Sequence, residues 1–135
     1  MPALRTLLVS VLLTASSVLA APTTSNLERE KNWAEQVVDN VVVGEPVWFN
    51  NRGHKFLALY TPPAKASKSA VILLHGRGVH PGWGFIDRLR SDLADAGFHT
   101  LSVQLPILAS DAKFLLYAPT FPEAYERIEI GMRFL

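Results

Sequence analysis

Residues 69–78 read SAVILLHGRG, and the rest of the chain is organised around this stretch. The apolar run at residues 70–74 has no polar face, which is typical of a central strand that is buried on both sides. Gly76 and Gly78 allow the backbone to turn sharply directly after it. Because ligands bind at the carboxyl ends of the strands in an open parallel sheet, this turn is the first candidate for a functional site.

Two β-rich segments precede the strand, at residues 41–49 and 55–60. The first is interrupted by Gly-Glu-Pro at residues 44–46, and Asn-Asn-Arg-Gly at residues 50–53 is a turn signal between the two. Together they predict an antiparallel hairpin. The preceding residues 26–40 mix charge with scattered apolar positions, and this pattern fits either a short helix or an extended lead-in.

A helix and a further strand are predicted after the turn. Within residues 83–96, Ile86, Leu89, Leu93 and Ala96 recur at helical spacing and form one apolar stripe. Gly97 is well placed to end that helix. Residues 98–105 then read as a strand that stops at a proline, so the segment predicts a βαβ unit with a right-handed crossover.

The last third of the chain is apolar but less periodic. Residues 107–120 suit a loop that folds over the carboxyl edge of the sheet. Residues 123–135 predict a helix that turns Ala124, Ile128 and Leu135 inward.

The first 21 residues match a secretory signal. Arg5 supplies the positive charge, residues 7–13 are mostly apolar, and Ala20 is the small residue that cleavage needs. The apolar run is shorter than the roughly 20 residues of a membrane span, so no stable span is expected after cleavage, with an uncleaved anchor as the alternative. We therefore expect an exported protein, either periplasmic or secreted.

Composition excludes several classes of partner. The 135 residues hold 13 Lys and Arg against 12 Asp and Glu, and one of the basic side chains belongs to the signal. A net charge near zero gives no electrostatic reason to expect nucleic acid or an anionic membrane as partner. The absence of cysteine excludes disulfides. After the signal we expect a lead-in at residues 22–40 and a single small α/β domain at residues 41–135.

The order of hairpin, strand, His-Gly-Arg-Gly turn, helix and strand resembles the N-terminal half of the α/β-hydrolase family, from residue 41 onward. The longer run from His75 to Trp83 also resembles an uncharacterised branch of exported bacterial hydrolase-like proteins. In the family, the turn after the third strand donates a backbone N–H to the oxyanion hole. The resemblance therefore implies that Arg77 and Gly78 line such a hole, supported by His75 and Gly76. It also implies a small ester or acyl substrate and no cofactor.

The chain departs from this pattern in one large respect. The family's nucleophile lies in a Gly-x-Ser-x-Gly elbow after the next strand, and the chain contains no such motif. It stops where the helix before that strand would end, so the sequence is expected to be a fragment or the product of a gene that lost its catalytic half. As given, the chain should not hydrolyse a substrate. A non-catalytic exported binding or assembly module on the same scaffold, or a truncated gene product, are the alternatives.

The four histidines are expected to have structural roles and not to act as catalytic bases. His75 belongs to the turn, and its ring is expected to brace the loop by hydrogen bonding. His54 and His99 lie at element ends and are expected near the surface. His80, together with Trp83 and Asp111, is a candidate for the wall of a pocket near the turn.

No other motif indicates a reaction. Ser91 falls within the predicted helix and Ser102 within a strand, so neither is presented on a strained turn as a nucleophile needs. The spacing of His, Asp and Glu does not match a zinc site, and no dinucleotide fingerprint or P-loop occurs. Substrate identity and oligomeric state stay open at this level.

Overall fold

The computed structural model describes residues 22–135, and the signal predicted at residues 1–21 lies outside the described residues. The chain has the α/β fold that the sequence predicts, with a four-stranded mixed sheet between helices. In chain order the elements are α1 (Leu27–Asn40), β1 (Glu45–Asn51), β2 (His54–Thr61), β3 (Ala70–Leu74), α2 (Phe85–Asp95), β4 (His99–Val103), a 3₁₀ helix (Phe114–Thr120) and α3 (Phe121–Phe134).

The strands lie in the order β1-β2-β4-β3. β1 pairs antiparallel with β2, β2 antiparallel with β4, and β3 parallel with β4. The predicted hairpin is confirmed, and its two turn residues, Arg52 and Gly53, both have positive φ, as a tight hairpin turn with matched twist requires. The predicted βαβ unit is β3-α2-β4, and Gly97, at φ 99°, follows the end of α2 as expected.

Helices cover both faces of the sheet. On one face, Ala34 and Val37 of α1 form a buried cluster with Leu57 and Leu59 of β2. α2 covers the β4 part of the same face, where Thr100 donates to a carbonyl of α2. On the other face, α3 packs against a cluster formed by Phe56, Ala58, Leu101 and Val103.

α3 lies unusually close to the sheet at Gly131. A Cβ at this position would lie 3.0 Å from Leu101 Cδ2 and 3.2 Å from Val103 Cγ2. The absence of a side chain therefore lets the helix backbone approach β4 directly. The buried residues of α3 are Glu123, Ala124, Arg127 and Gly131. The expectation that Leu135 points inward is wrong, since Leu135 is exposed, and Ile128 is only half-buried.

Two strand predictions also need correction. Residues 41–43 are not a strand, because a buried arginine, Arg90, donates to the carbonyl of Val43 and the chain turns at Gly44, which has φ 78°. β1 therefore begins only at Glu45. β3 has the predicted bounds but is not buried on both sides, because within residues 22–135 it pairs only with β4. Of its five residues, only Leu73 is buried.

The predicted stripe of α2 is shifted. Its buried positions are Ile86, Arg90 and Ala94, at spacings of four, whereas Leu89 is half-buried and Ala96 exposed. The Arg90 guanidinium reaches the core because it is satisfied there: it donates to Thr61 Oγ1 at 2.6 Å and to Asp87 Oδ1 at 2.7 Å. Hydropathy assigns an arginine to the solvent-exposed face of a helix, but the Arg90 guanidinium can be buried because it has hydrogen-bond partners.

Candidate functional site

The His-Gly-Arg-Gly turn lies at the carboxyl end of β3, where the sequence places it. Gly78 has φ 72°, and a Cβ there would lie 3.3 Å from the Tyr117 hydroxyl and 3.4 Å from the Arg29 guanidinium. Gly76 has no atom within 4 Å of a virtual Cβ. Of the two turn glycines, only Gly78 is therefore required by backbone conformation and space.

The carbonyl groups of the turn are held by side chains from both sides. His75 Nδ1 lies 2.7 Å from the Gly76 carbonyl oxygen. Arg29, on α1, donates to the Gly78 carbonyl at 2.9 Å and to the Leu108 carbonyl at 2.6 Å. The turn is thereby fixed to its own histidine and, through Arg29, to the first helix and to the loop after β4.

The N–H groups of the turn remain unpaired. Among residues 22–135, no hydrogen bond uses the N–H of Gly76, Arg77 or Gly78. In a planar trans peptide the C=O and the following N–H point in opposite directions. Because the His75 ring binds the Gly76 carbonyl, the Arg77 N–H is directed away from that ring. The Arg77 N–H can therefore donate a hydrogen bond to a negatively charged oxygen without a rearrangement of the backbone.

The His75 ring is a brace, as the sequence suggests. Its Nδ1 donates to the Gly76 carbonyl, and its Nε2 accepts from the Leu105 N–H at 2.9 Å, which assigns the proton to Nδ1. The amide nitrogen of Gln104 lies 3.1 Å from the same Nε2. Burial lowers the pKa of His75 to about 4, outweighing the hydrogen bond to Gly76. Both ring nitrogens are used within the protein, so the ring is neutral and holds the turn in place.

An apolar cavity of about 300 Å³ adjoins the turn. The turn forms one wall, and the other walls come from the loop after β4, the 3₁₀ helix and the start of α3. The Arg77 guanidinium lies 6.0 Å from the Phe114 ring centroid and 5.9 Å from that of Tyr117. Leu105, Pro106 and Ala124 also line it. The predicted loop over the carboxyl edge is thus partly helical and forms an apolar wall beside the turn.

A cluster of three buried, charged side chains connects the elements that surround this loop. Arg127 of α3 donates to Glu123 Oε1 at 2.8 Å and to Glu30 Oε1 of α1 at 2.9 Å. It also donates to the Gln104 carbonyl at 3.2 Å, next to the His75 brace. All three charged side chains are buried. The cluster therefore connects α1, α3 and the end of β4, and it fixes the residues that hold the turn.

The two carboxyl groups of the cluster differ in pKa. Burial raises the pKa of Glu30, against the opposing effects of Arg127 and Ser25. Burial also acts to raise the pKa of Glu123, but hydrogen bonds from the Thr24 N–H and hydroxyl and from Arg127 lower it to about 2. Glu123 is therefore ionised at neutral pH and ties residues 23–24 to α3. The sequence pattern indicates neither the cluster nor the role of Arg29, because charged side chains at helical spacing usually indicate a solvated face.

The candidate pocket residues are brought together only in part. His80 and Trp83 line a second cavity, of about 320 Å³, together with Trp33. Asp111 is exposed in the turn before the 3₁₀ helix and lines neither cavity. His99 is half-buried and binds the Tyr60 hydroxyl at 2.7 Å.

The serines considered as nucleophiles are engaged elsewhere. Ser102 is fully buried and donates to the Pro81 carbonyl at 2.6 Å. Ser91 lies within α2, with its hydroxyl 3.4 Å from the Asp87 carbonyl. Within residues 22–135, no group of three His, Asp or Glu side chains could hold a metal ion. In the same range, no helix has both the length and the apolar character that a membrane span needs.

Comparison with known families places the chain in an uncharacterised family. The model of the DUF3530 family, described as a protein of unknown function, matches residues 3–124. The chain belongs to this family. The matched range includes the turn and the 3₁₀ helix and extends into the start of α3, so this DUF3530 protein carries its candidate site within the family region. No curated protein and no solved structure matches the chain.

Proposed function

We propose that the chain is the N-terminal part of an exported α/β-hydrolase-like protein, related to serine esterases or acyl hydrolases, and that its turn supplies the oxyanion hole. The observation that carries this proposal is the Arg77 N–H, which has no hydrogen-bond partner within residues 22–135 and is directed away from the His75 brace beside an apolar cavity. Attack on an ester carbonyl concentrates negative charge on one oxygen, and a fixed backbone donor stabilises that charge. The cavity offers an apolar wall for the acyl group, and export is inferred from residues 1–21.

In this proposal the nucleophile would follow a further strand that pairs with β3. The connection between two parallel strands is right-handed. A connection whose helix lies on one face of the sheet therefore leads to a strand on one side, and a connection whose helix lies on the other face leads to a strand on the opposite side. α2 lies on one face and leads from β3 to β4. α3 lies on the other face, so a strand after it is expected on the far side of β3, with its carboxyl end next to the turn.

Surface hydrophobicity supports a strand at this position. On β3, Leu74 is 45% exposed. On α3, Phe121, Tyr125 and Met132 are more than half exposed and recur at helical spacing. This stripe lies on the β3 side of the helix, because Phe134 packs against β1 and β2 on the opposite side. Within the described part of the chain β3 has a neighbour on one side only, which is unusual for an apolar parallel strand, since parallel strands are normally covered.

The proposal is tested by joining the chain to whatever reading frame follows the Leu135 codon and measuring hydrolysis of p-nitrophenyl butyrate. We expect turnover that a serine-reactive phosphonate abolishes. Arg77→Pro removes the N–H and should lower kcat about 100- to 1,000-fold. The matched control Arg77→Ala removes the side chain but keeps the N–H, and should retain most of kcat. Equal losses in both variants would contradict the role of the backbone donor.

The alternative is a non-catalytic exported binding module. It is favoured by the absence of a Gly-x-Ser-x-Gly motif and by the engagement of Ser102 and both nitrogens of His75 within the protein. If no frame encoding a strand and a serine elbow follows the Leu135 codon, this alternative replaces the hydrolase proposal.

A further inference from the structure

The second cavity, between α1 and the loop after the turn, has the features of a small-molecule site. Its volume of about 320 Å³ is near the lower end of the range for such sites, about 300–1,000 Å³. Its lining includes the buried side chains of Val37 and Leu59. The rings of Trp33, His80 and Trp83 also line it. We call this the aromatic cavity.

The three rings support one another in fixed orientations. The centroids of Trp33 and His80 are 4.8 Å apart, those of Trp33 and Trp83 are 5.8 Å apart, and those of His80 and Trp83 are 5.4 Å apart. Trp83 is nevertheless 49% exposed. A large ring that is held by aromatic packing and still faces solvent is a rigid stacking surface, because little conformational freedom is lost when a ligand covers it.

The cavity carries no net charge. The Asp87 carboxylate at its rim is paired with the Arg90 guanidinium at 2.7 Å. Burial lowers the pKa of His80, against the effect of Asp87, so the imidazole is neutral at pH 7. Among residues 22–135, the lining offers no cation to an anionic ligand, and it offers a cationic ligand only a carboxylate that is already paired. The favoured ligand is therefore neutral.

The polar groups at the rim are mostly acceptors. The amides of Gln36 and Asn40 donate to carbonyls one turn earlier in α1, at 3.2 and 2.7 Å. Among residues 22–135, neither amide oxygen accepts a hydrogen bond, whereas the indole N–H of Trp33 is a buried donor without a partner. Hydroxyl groups suit the two exposed amides, since each hydroxyl can donate to an amide oxygen.

We propose that the aromatic cavity binds a neutral sugar, with one pyranose ring stacked on Trp83 and its hydroxyls bonded to the exposed amides of Gln36 and Asn40. The C–H face of a pyranose matches the indole ring, and its hydroxyls match the acceptor-rich rim. This site lies beside the turn but uses none of its donors, so the proposal is independent of acyl transfer.

The test uses the three indole N–H resonances in a nitrogen-proton correlation spectrum of the isotope-labelled protein. The probes are glucose, galactose, mannose and N-acetylglucosamine, each added up to about 100 mM, a range that detects millimolar binding. At least one sugar should shift Trp33 and Trp83 in a saturable manner and leave Trp48 unchanged. Trp48 is a matched internal control, because it is also 49% exposed but lies on β1.

A rim substitution separates binding from folding. Asn40→Ala changes an exposed side chain near the end of α1 and should weaken sugar binding about 3- to 10-fold through loss of one hydrogen bond. Asn32→Ala, on the same helix but outside the cavity, should leave the affinity unchanged. The proposal is overturned if no sugar shifts the two indoles, if Trp48 shifts equally, if both variants bind alike, or if choline shifts them at lower concentration than every sugar.

Discussion

The neutral His75 ring makes the stability of the protein depend on pH in a defined direction. In the folded protein Nε2 accepts a hydrogen bond from the Leu105 N–H. A proton on Nε2 would turn this acceptor into a second donor that faces the Leu105 N–H, and the hydrogen bond would be lost. The pKa is about 4 in the folded protein and 6.5 for an unperturbed histidine. Between these values the unfolded chain binds more protons, so stability rises with pH from about 4 to 6.5 and is lost as the pH falls.

The magnitude follows from this difference in pKa. At about 1.36 kcal/mol per pH unit, the separation between 6.5 and about 4 corresponds to about 3 kcal/mol of unfolding free energy. His75→Gln removes the titrating group while keeping a polar side chain. It should cost about 1–3 kcal/mol near pH 7 through the lost hydrogen bonds, and progressively less as the pH falls toward 4.

Urea unfolding of both proteins at a series of pH values from 4 to 7.5 measures this difference. Subtracting the two curves cancels the carboxyl groups that both proteins share, and proton NMR of the ring reports its pKa directly. A difference in unfolding free energy that is constant with pH, or a ring that titrates near 6.5, would refute the assignment of His75 as a buried acceptor.

Three further predictions concern stability and association. Arg127→Met leaves two buried carboxyl groups without their cation and should cost about 3–5 kcal/mol in urea unfolding, whereas Arg133→Met, at an exposed pair, should cost less than about 1 kcal/mol. Comparable losses in the two would contradict the ion cluster as described. Gly78→Ala forces a side chain into φ 72° and should cost about 1–3 kcal/mol, while Gly76→Ala should lie within about 0.5 kcal/mol of the parent; the reverse order would show that the turn is built differently. The edge of β3 that is unpaired within residues 22–135 is expected to cause concentration-dependent association in analytical ultracentrifugation, and Leu74→Lys, which places a charge beside it, should reduce that association; unchanged association would exclude this edge as its cause.

Local patterns determined much of the fold. The apolar run of β3, the turn signal before β2 and the glycine after α2 are all short-range features, and the structure has each of them at the predicted place. The helix α2 is also present, but its buried stripe is shifted from the predicted positions. Short-range sequence features also predicted the position of the His-Gly-Arg-Gly turn, because glycines directly after a strand determine where the chain turns. The hydrolase likeness, the signal and the oxyanion role stay predictions.

Tertiary structure alone decided which residues hold the site. The sequence pattern assigns four charged side chains to the solvent-exposed surface: Arg29, Arg90, Glu30 and Arg127. In the structure they are half-buried or buried, because hydrogen-bond partners from distant segments satisfy them. Hydropathy cannot anticipate this, since the cost of burying a charge depends on partners up to 97 residues away in the chain. The edge position of β3 within residues 22–135 has the same origin: a continuous apolar run specifies a strand, but strand order is set by which neighbours pair with it.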